Sequence, residues 1–143
     1  MASKLGYKAK VYHGTAGTQA GTLLANVRSV TMNGSKAEAD ASTRDSDFKL
    51  TRGAQKDISF DIELVYDPAD AGYDALKASY LNGTAIALLI VDDLKTVVGT
   101  EGLDFDAEIF DMSREEPIEG VITVKFTAKP TPSSRAPTWF VGT

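Results

Sequence analysis

The sequence has no cysteine, one histidine (His13), one tryptophan and no long hydrophobic run. Without cysteine there can be no disulfide framework and no thiolate zinc site. A lone histidine excludes most hydrolase triads and histidine-metal clusters. The longest apolar stretch, residues 85–91, is far too short to span a bilayer. The first eight residues lack the apolar core of a secretory signal, so folding in the cytoplasm is expected. Basic residues are also in deficit: 15 Lys and Arg stand against 20 Asp and Glu, a formal charge of −5. That balance argues against a nucleic-acid grip, which shows a basic stripe.

What remains is 143 residues, 43% of them hydrophobic, which suits one soluble globular domain, residues 1–143. Turn residues recur at short intervals, as in strand-rich folds. Strands are expected over residues 8–12 and, with a bend, 22–32. Between them lies a small-residue loop, residues 13–21, whose glycines lack the lysine of a phosphate loop. Residues 37–43 alternate small apolar and polar side chains.

Residues 43–55 form a long polar stretch of mixed charge, expected as a loop whose middle pairs at most briefly. It carries Arg44, Asp47 and Arg52 beside the exposable Phe48 and Leu50. Loops of that length in a compact domain are usually functional or mobile.

The clearest strand is residues 56–66. Ile58, Phe60, Ile62, Leu64 and Tyr66 take one face, and Asp57, Ser59, Asp61, Glu63 and Val65 the other. This period of two fits a sheet with one dry and one wet face. A helix is expected over residues 68–81. Asp67 would be its N-cap, Pro68 its first residue, Asn82-Gly83 its stop, and Ala69, Tyr73, Leu76 and Tyr80 its buried stripe. Residues 85–91 read as a central strand buried on both faces. Residues 102–113 alternate again, with Asp104, Asp106 and Glu108 on one face. The phase reverses at Phe110 and Met112, so a bulge is expected near Ile109. A last strand covers residues 119–129. The tail, residues 130–143, has three prolines and ends near Trp139-Phe140, which must tuck back or dock on a neighbour.

The two acidic strand faces, Asp57/Asp61/Glu63 and Asp104/Asp106/Glu108, allow three readings. Acid–base work on a glycosidic bond needs one carboxyl in an apolar niche and one in a polar niche, and uniform alternation provides no such contrast. Metal binding by Asp104-x-Asp106-x-Glu108 lacks the glycine and the late glutamate of a calcium loop. The third reading, a solvated or cavity-lining face that repels anions, needs nothing further. No catalytic residue, metal site or cofactor is expected. His13 reads as a surface residue, and Tyr73 and Tyr80 as core contacts with hydroxyls at the rim.

Several segments, in order over residues 20–140, resemble the tail tube (major tail) proteins of tailed phages. They are Glu38-Ala39-Asp40-Ala41-Ser42-Thr43-Arg44, Tyr66-Asp67-Pro68-Ala69-Asp70-Ala71-Gly72-Tyr73 and Leu81-Asn82-Gly83-Thr84. They continue with Met112-Ser113-Arg114-Glu115-Glu116-Pro117-Ile118-Glu119-Gly120, Lys129-Pro130-Thr131 and Ala136-Pro137-Thr138-Trp139. The resemblance implies a mainly β subunit, a sandwich or barrel with one flanking helix, contributing to a shared inner β-barrel. It implies hexameric rings stacked around a tape measure protein, capped by tail terminator and tail-tip or baseplate proteins, that later conduct double-stranded DNA. It places the protein in the virion tail, assembled in the host cytoplasm. Tube proteins of contractile and type VI-like systems are similar in fold and stay as alternatives. A carbohydrate-binding β-sandwich is the alternative of a different class.

Geometry is compatible with such a ring. Four strands from each of six copies, at ~4.8 Å spacing and ~40° tilt, close a barrel about 48 Å across at the backbone. Such closure would pair edge strands that a lone sandwich leaves open. The lumen-facing candidates are Asp57, Asp61, Glu63, Asp104, Asp106 and Glu108. The inter-subunit candidates are Arg44, Asp47, Phe48, Leu50, Arg52, Trp139 and Phe140, with an N-terminal arm, residues 1–7.

Overall fold

A computed structural model describes residues 9–45 and 47–142. The expected N-terminal arm, residues 1–7, lies outside them. The described residues are mainly β, with one helix among them. In order come β1 (Lys10–Thr15), β2 (Thr22–Leu23), β3 (Val27–Asp40), β4 (Thr51–Val65), α1 (Ala71–Asn82), β5 (Ile86–Val91), β6 (Glu101–Glu115), β7 (Thr123–Pro130) and β8 (Thr138–Val141). Every strand pairing is antiparallel, and the sheet runs β2-β1-β5-β6-β7-β4-β3, with β8 also on β6.

β6 joins two layers. Its first half pairs with β5 on one edge and β8 on the other. Its second half pairs with β7. The register slips between Ile109 and Asp111, leaving Phe110 as the bulged residue, at the bend expected from the reversed hydrophobic phase. The layers close on one core. Phe60, Ile62 and Leu64 of β4, Val124, Phe126 and Ala128 of β7 and Leu103, Phe105 and Ile109 of β6 meet Val11, Leu88, Tyr73 and Leu76. Phe60 and Phe105 stack at 5.4 Å between centroids, and Tyr73 stands edge-on to Tyr66 at 5.3 Å. A second cluster of Tyr12, Ala20, Ala87, Leu89 and Val91, with Phe140 against it, covers the other face of β1 and β5. β5 is thus buried on both faces, as its unbroken apolar run implies. Gly102 is required where β6 meets β5, because a Cβ there would lie 1.7 Å from the Ile90 carbonyl oxygen.

Three local expectations change. The strand expected over residues 22–32 is divided by Asn26, whose φ of 64° is left-handed. Its second part merges with residues 37–40 into the 14-residue β3. The helix starts three residues late. Asp67 instead closes a turn, its Oδ1 accepting from the Ala69 N–H and its carbonyl from the Asp70 N–H. Asp70 is the N-cap, accepting from the Gly72 N–H at 3.0 Å, and Gly83 closes the helix at φ 66°. The buried stripe becomes Gly72, Tyr73, Leu76 and Ser79, which leaves Tyr80 outside. His13 is half-buried near Gly72 rather than on the surface; burial pushes its imidazole below the ordinary value, with the Asp70 charge opposing.

Phe126 and Phe110 separate burial from side-chain chemistry, because the first is fully buried and the second 52% exposed. Phe126→Ala should cost about 3–5 kcal/mol in urea unfolding, and Phe110→Ala about 0.5 kcal/mol or less.

Candidate functional site

Three features stand out beyond the core: an open polar sheet face, a projecting ribbon and a tail bound back over β6.

The polar face belongs to β3, β4, β7 and the second half of β6. Direct cross-strand register aligns its side chains in rows. One row runs Thr31, Asp61, Thr127, Asp111, and the next Ser29, Glu63, Lys125, Ser113. The Thr127 hydroxyl donates to Asp61 at 2.9 Å, and Asn33 donates to the same carboxylate at 3.3 Å. Arg28 lies 3.8 Å from Glu63. Asp57 extends the acidic line opposite Ser35, and Glu108 lies opposite Lys129 with a hydrogen bond from Thr131. Its acids, Asp57, Asp61, Glu63, Glu108, Asp111 and Glu115, outnumber Arg28, Lys125 and Lys129, so the face is polar and net negative. Among the described residues, no strand pairs with the outer edge of β3 or with β6 beyond Asp111 on the side away from β7.

Asp104 and Asp106 do not join this face. They lie before the bulge, 6% and 1% exposed, under the C-terminal tail. Arg135 donates from Nη1 to Asp104 at 2.7 Å and from Nε to Asp106 at 2.8 Å. The Gly17 N–H also donates to Asp106 at 2.8 Å, and Gln19 to Asp104 at 3.2 Å. Burial alone would raise Asp106, but hydrogen bonds from Ser133, Arg135 and Gly17 and the Arg135 charge outweigh it and hold its carboxyl below the ordinary range. The wet acidic face expected of residues 104–108 is therefore a buried ion-pair cluster, with Glu108 half-exposed at its end. Period two signalled the shared face but not its cover, since Arg135 sits 29 residues from Asp106 in an irregular segment. Among the described residues, no three or more His, Asp or Glu side chains are grouped to hold a metal ion.

The ribbon is the hairpin of β3 and β4. Every described residue from 31 to 57 is exposed. Residues 51–55, expected in a loop, are strand instead: Glu38, Ala39 and Asp40 pair with Gly53, Arg52 and Thr51. The true loop is residues 41–50, pinched by Ser42, which exchanges hydrogen bonds with Leu50. Arg44, Asp47, Phe48 and Leu50 lie in this loop, with Phe48 78% exposed, and Arg52 lies on the ribbon.

The tail tucks back. β8 lies along β6 with Trp139 opposite Leu103, and the indole N–H donates to Glu101 at 3.0 Å. Phe140 packs on the second cluster, while Trp139 remains 55% exposed. An open cleft of about 460 Å³ lies between Trp139, Pro137, Pro130, Leu103 and the ribbon residues Lys56 and Ile58.

No family model matches the chain, and no curated protein matches it by sequence. Its fold does match solved structures. The tail of an empty gene transfer agent particle, refined with C6 symmetry, superposes with a TM-score of 0.76 at 12% identity, over 97% of this chain and 100% of that one. The SPP1 tail tube gives 0.73 at 15% identity, over 89% of this chain and 75% of that one. The sheath/tube terminator of an extracellular contractile injection system gives 0.65 at 10% identity, over 99% of both chains. The chain thus shares its fold with the SPP1 tail tube and with the gene transfer agent tail.

Asp61 and Glu63 sit on the open face and support no core contact. Asp61→Lys with Glu63→Lys loses the Thr127 and Asn33 hydrogen bonds and sets like charge beside Arg28 and Lys125, so it should destabilise by about 1–3 kcal/mol, read as the urea midpoint at constant slope, and still fold.

Proposed function

We propose that the chain is a structural tail tube subunit: six copies close a ring, and stacked rings form a hollow tube. The observation that carries this reading is the four-stranded sheet β3-β4-β7-β6, dry on one face, polar on the other and open at both edges. An isolated sheet of this kind invites edge pairing with another chain. Joining the β3 edge of one copy to the β6 edge of the next is a heterologous contact that closes when the rotation allows. The polar face then lines the channel, with Asp57, Asp61, Glu63, Glu108, Asp111 and Glu115 on its wall. Asp104 and Asp106 are left out because Arg135 covers them.

The lining suits passage of DNA rather than its capture. Net negative charge repels phosphate, and the Lys125 and Lys129 side chains stand among acids instead of forming a stripe. In this reading the lumen holds a tape measure protein before DNA, and terminator and tail-tip or baseplate proteins close the ends. The work is structural rather than catalytic, in a virion tail assembled in the host cytoplasm. The loop 41–50, with Phe48 and Leu50, reaches a subunit of the neighbouring ring, and Arg44, Asp47 and Arg52 supply polar contacts there.

The tube of a contractile system is the second reading, supported by the terminator likeness at its lower TM-score of 0.65. A carbohydrate-binding module is less well supported. The exposed Phe48, Phe110 and Trp139 lie on three different elements, while Phe60, Phe105 and Phe126 are buried.

Negative-stain microscopy of the purified protein should show rings or tubes with a central hole; a monodisperse monomer at every concentration would overturn the proposal. Replacing residues 41–50 by Asn-Gly, which suits a two-residue hairpin turn, should leave a folded subunit that no longer stacks. Unchanged tubes would remove the loop from the interface. Tubes of the Asp61→Lys, Glu63→Lys variant should retain double-stranded DNA at low salt and release it as salt rises, whereas wild-type tubes should retain little.

A further inference from the structure

The Asp104–Arg135–Asp106 cluster does more than fill space, because three segments distant in sequence meet on it. β6 supplies both carboxylates, the 16–21 loop supplies the Gly17 N–H and Gln19, and the C-terminal segment supplies Arg135. The other charged or polar groups nearby are few. The Ser133 hydroxyl lies beside Asp106 and donates to the Arg135 carbonyl at 2.9 Å, and Glu108 binds the Thr131 hydroxyl and faces Lys129 across the β6–β7 pair. From β5 the residues opposite Asp104 and Asp106 are Leu89 and Ala87, which carry no charge, and from β8 it is Thr138.

We infer that Arg135 is the latch of a releasable strap: it holds residues 131–142 on β6, and loss of the Asp106 charge in acid frees that strap while the rest of the domain stays folded.

The strap is separable because the main core does not include it. Among the described residues, none beyond Ala128 belongs to the large cluster, and of the strap Phe140 alone packs on the smaller one, from a partly buried position. β8 pairs through four residues; at its end the Gly142 N–H donates to the Thr100 carbonyl at 2.7 Å and the Gly142 carbonyl accepts from the Gly99 N–H at 2.9 Å, and at the strap's start the Thr131 N–H donates to the Asp106 carbonyl at 3.1 Å. Local opening follows such sparse burial. The Asp106 side chain is fully buried and the Arg135 side chain 20% exposed, so an unpaired partner on either side is costly. The Arg135 Nη2 is buried without a hydrogen-bond partner among the described residues, which offsets part of the gain from docking. Beside this short backbone ladder, the ion pairs are the part of the hold that charge controls.

The sign follows from Asp106. Its folded-state carboxyl lies below the ordinary value, so its contribution is present above about pH 4 and lost as the pH falls through the folded value. Release also opens the β6 edge over Glu101–Asp104 and loosens the Gly17 turn.

Trp139 is the sole tryptophan and lies in the strap, but its indole also binds the Glu101 carboxylate, so its emission counts as release only where amide protection over residues 138–142 is lost with it. In the full chain, Trp139 emission and amide protection over residues 138–142 should change in one step below about pH 4, before far-UV dichroism is lost. A change only together with global unfolding would overturn the latch. Arg135→Gln should release the strap at pH 7, raising chymotryptic cleavage at Trp139 and Phe140 about tenfold or more and abolishing the separate acid step. Wild-type protection at 138–142 in that variant would overturn it too. Should Arg135→Gln fail to fold, the test passes to E101C/V141C, a cross-strand pair in a chain with no other cysteine. Its oxidised form should lose the acid step and its reduced form keep it; an undiminished step when oxidised would overturn the proposal. None of these readouts requires a tube.

Discussion

The structure depends on one strand serving two layers. β6 is hydrogen-bonded to β5 and β8 over its first half and to β7 over its second, with the slip at Phe110 between them. A bulge increases local twist and turns the strand without breaking it. Both layers therefore inherit their orientation from a single backbone path, and the stacked Phe60 and Phe105 rings join them from inside. The same bend decides the fate of the acids. Before it, the face of β6 away from the core lies under the tail; after it, Asp111, Ser113 and Glu115 enter an open polar surface. One stretch of alternating sequence thus yields a buried ion-pair cluster and part of a wet wall.

Polar groups are divided accordingly. On the open face, Asp61 is shared by Thr127 and Asn33, and water remains within reach. Under the tail, Asp106 depends on Arg135, Ser133 and the Gly17 N–H because burial withholds the solvent. Exposed pairs contribute little to stability and are free to serve another purpose, whereas buried ones must be satisfied locally. Charge on the sheet face is thereby released from any duty in folding, as a channel wall would require.

Periodicity in the sequence reveals the strands whose patterns are strong. Ile58 to Leu64 mark the core face of β4, the unbroken 85–91 run marks a strand buried on both sides, and the phase reversal after Ile109 marks the bulge. The helix is evident from its tyrosines and from Asn82-Gly83, but its start is not. Asp67 and Asp70 both offer capping carboxylates, and the choice falls to Asp70 because Gly72 and Tyr73 must meet the core. Residues 51–55 contain Arg52, Gly53 and Gln55, which carry no strand pattern. They pair because β3 lies alongside, and pairing with a distant segment leaves no mark on local composition. Arg135 was invisible for the same reason, as an arginine in a proline-rich tail reads as solvated until its partners are placed.

The ribbon carries a mechanical consequence. β4 runs unbroken from the exposed Thr51 to the buried Leu64, and about 24 Å of it stands clear of the core at ~3.4 Å per residue over residues 51–57. It is a cantilever clamped at Phe60. A load applied at the tip is carried along the β4 backbone to the Phe60–Phe105 stack. The free length carries one irregularity, between Lys36 and Glu38, where β4 sets Ala54 and Gln55 against Ala37 alone and the ribbon bends. The flexure is thereby set at one point, and the clamped end remains stiff.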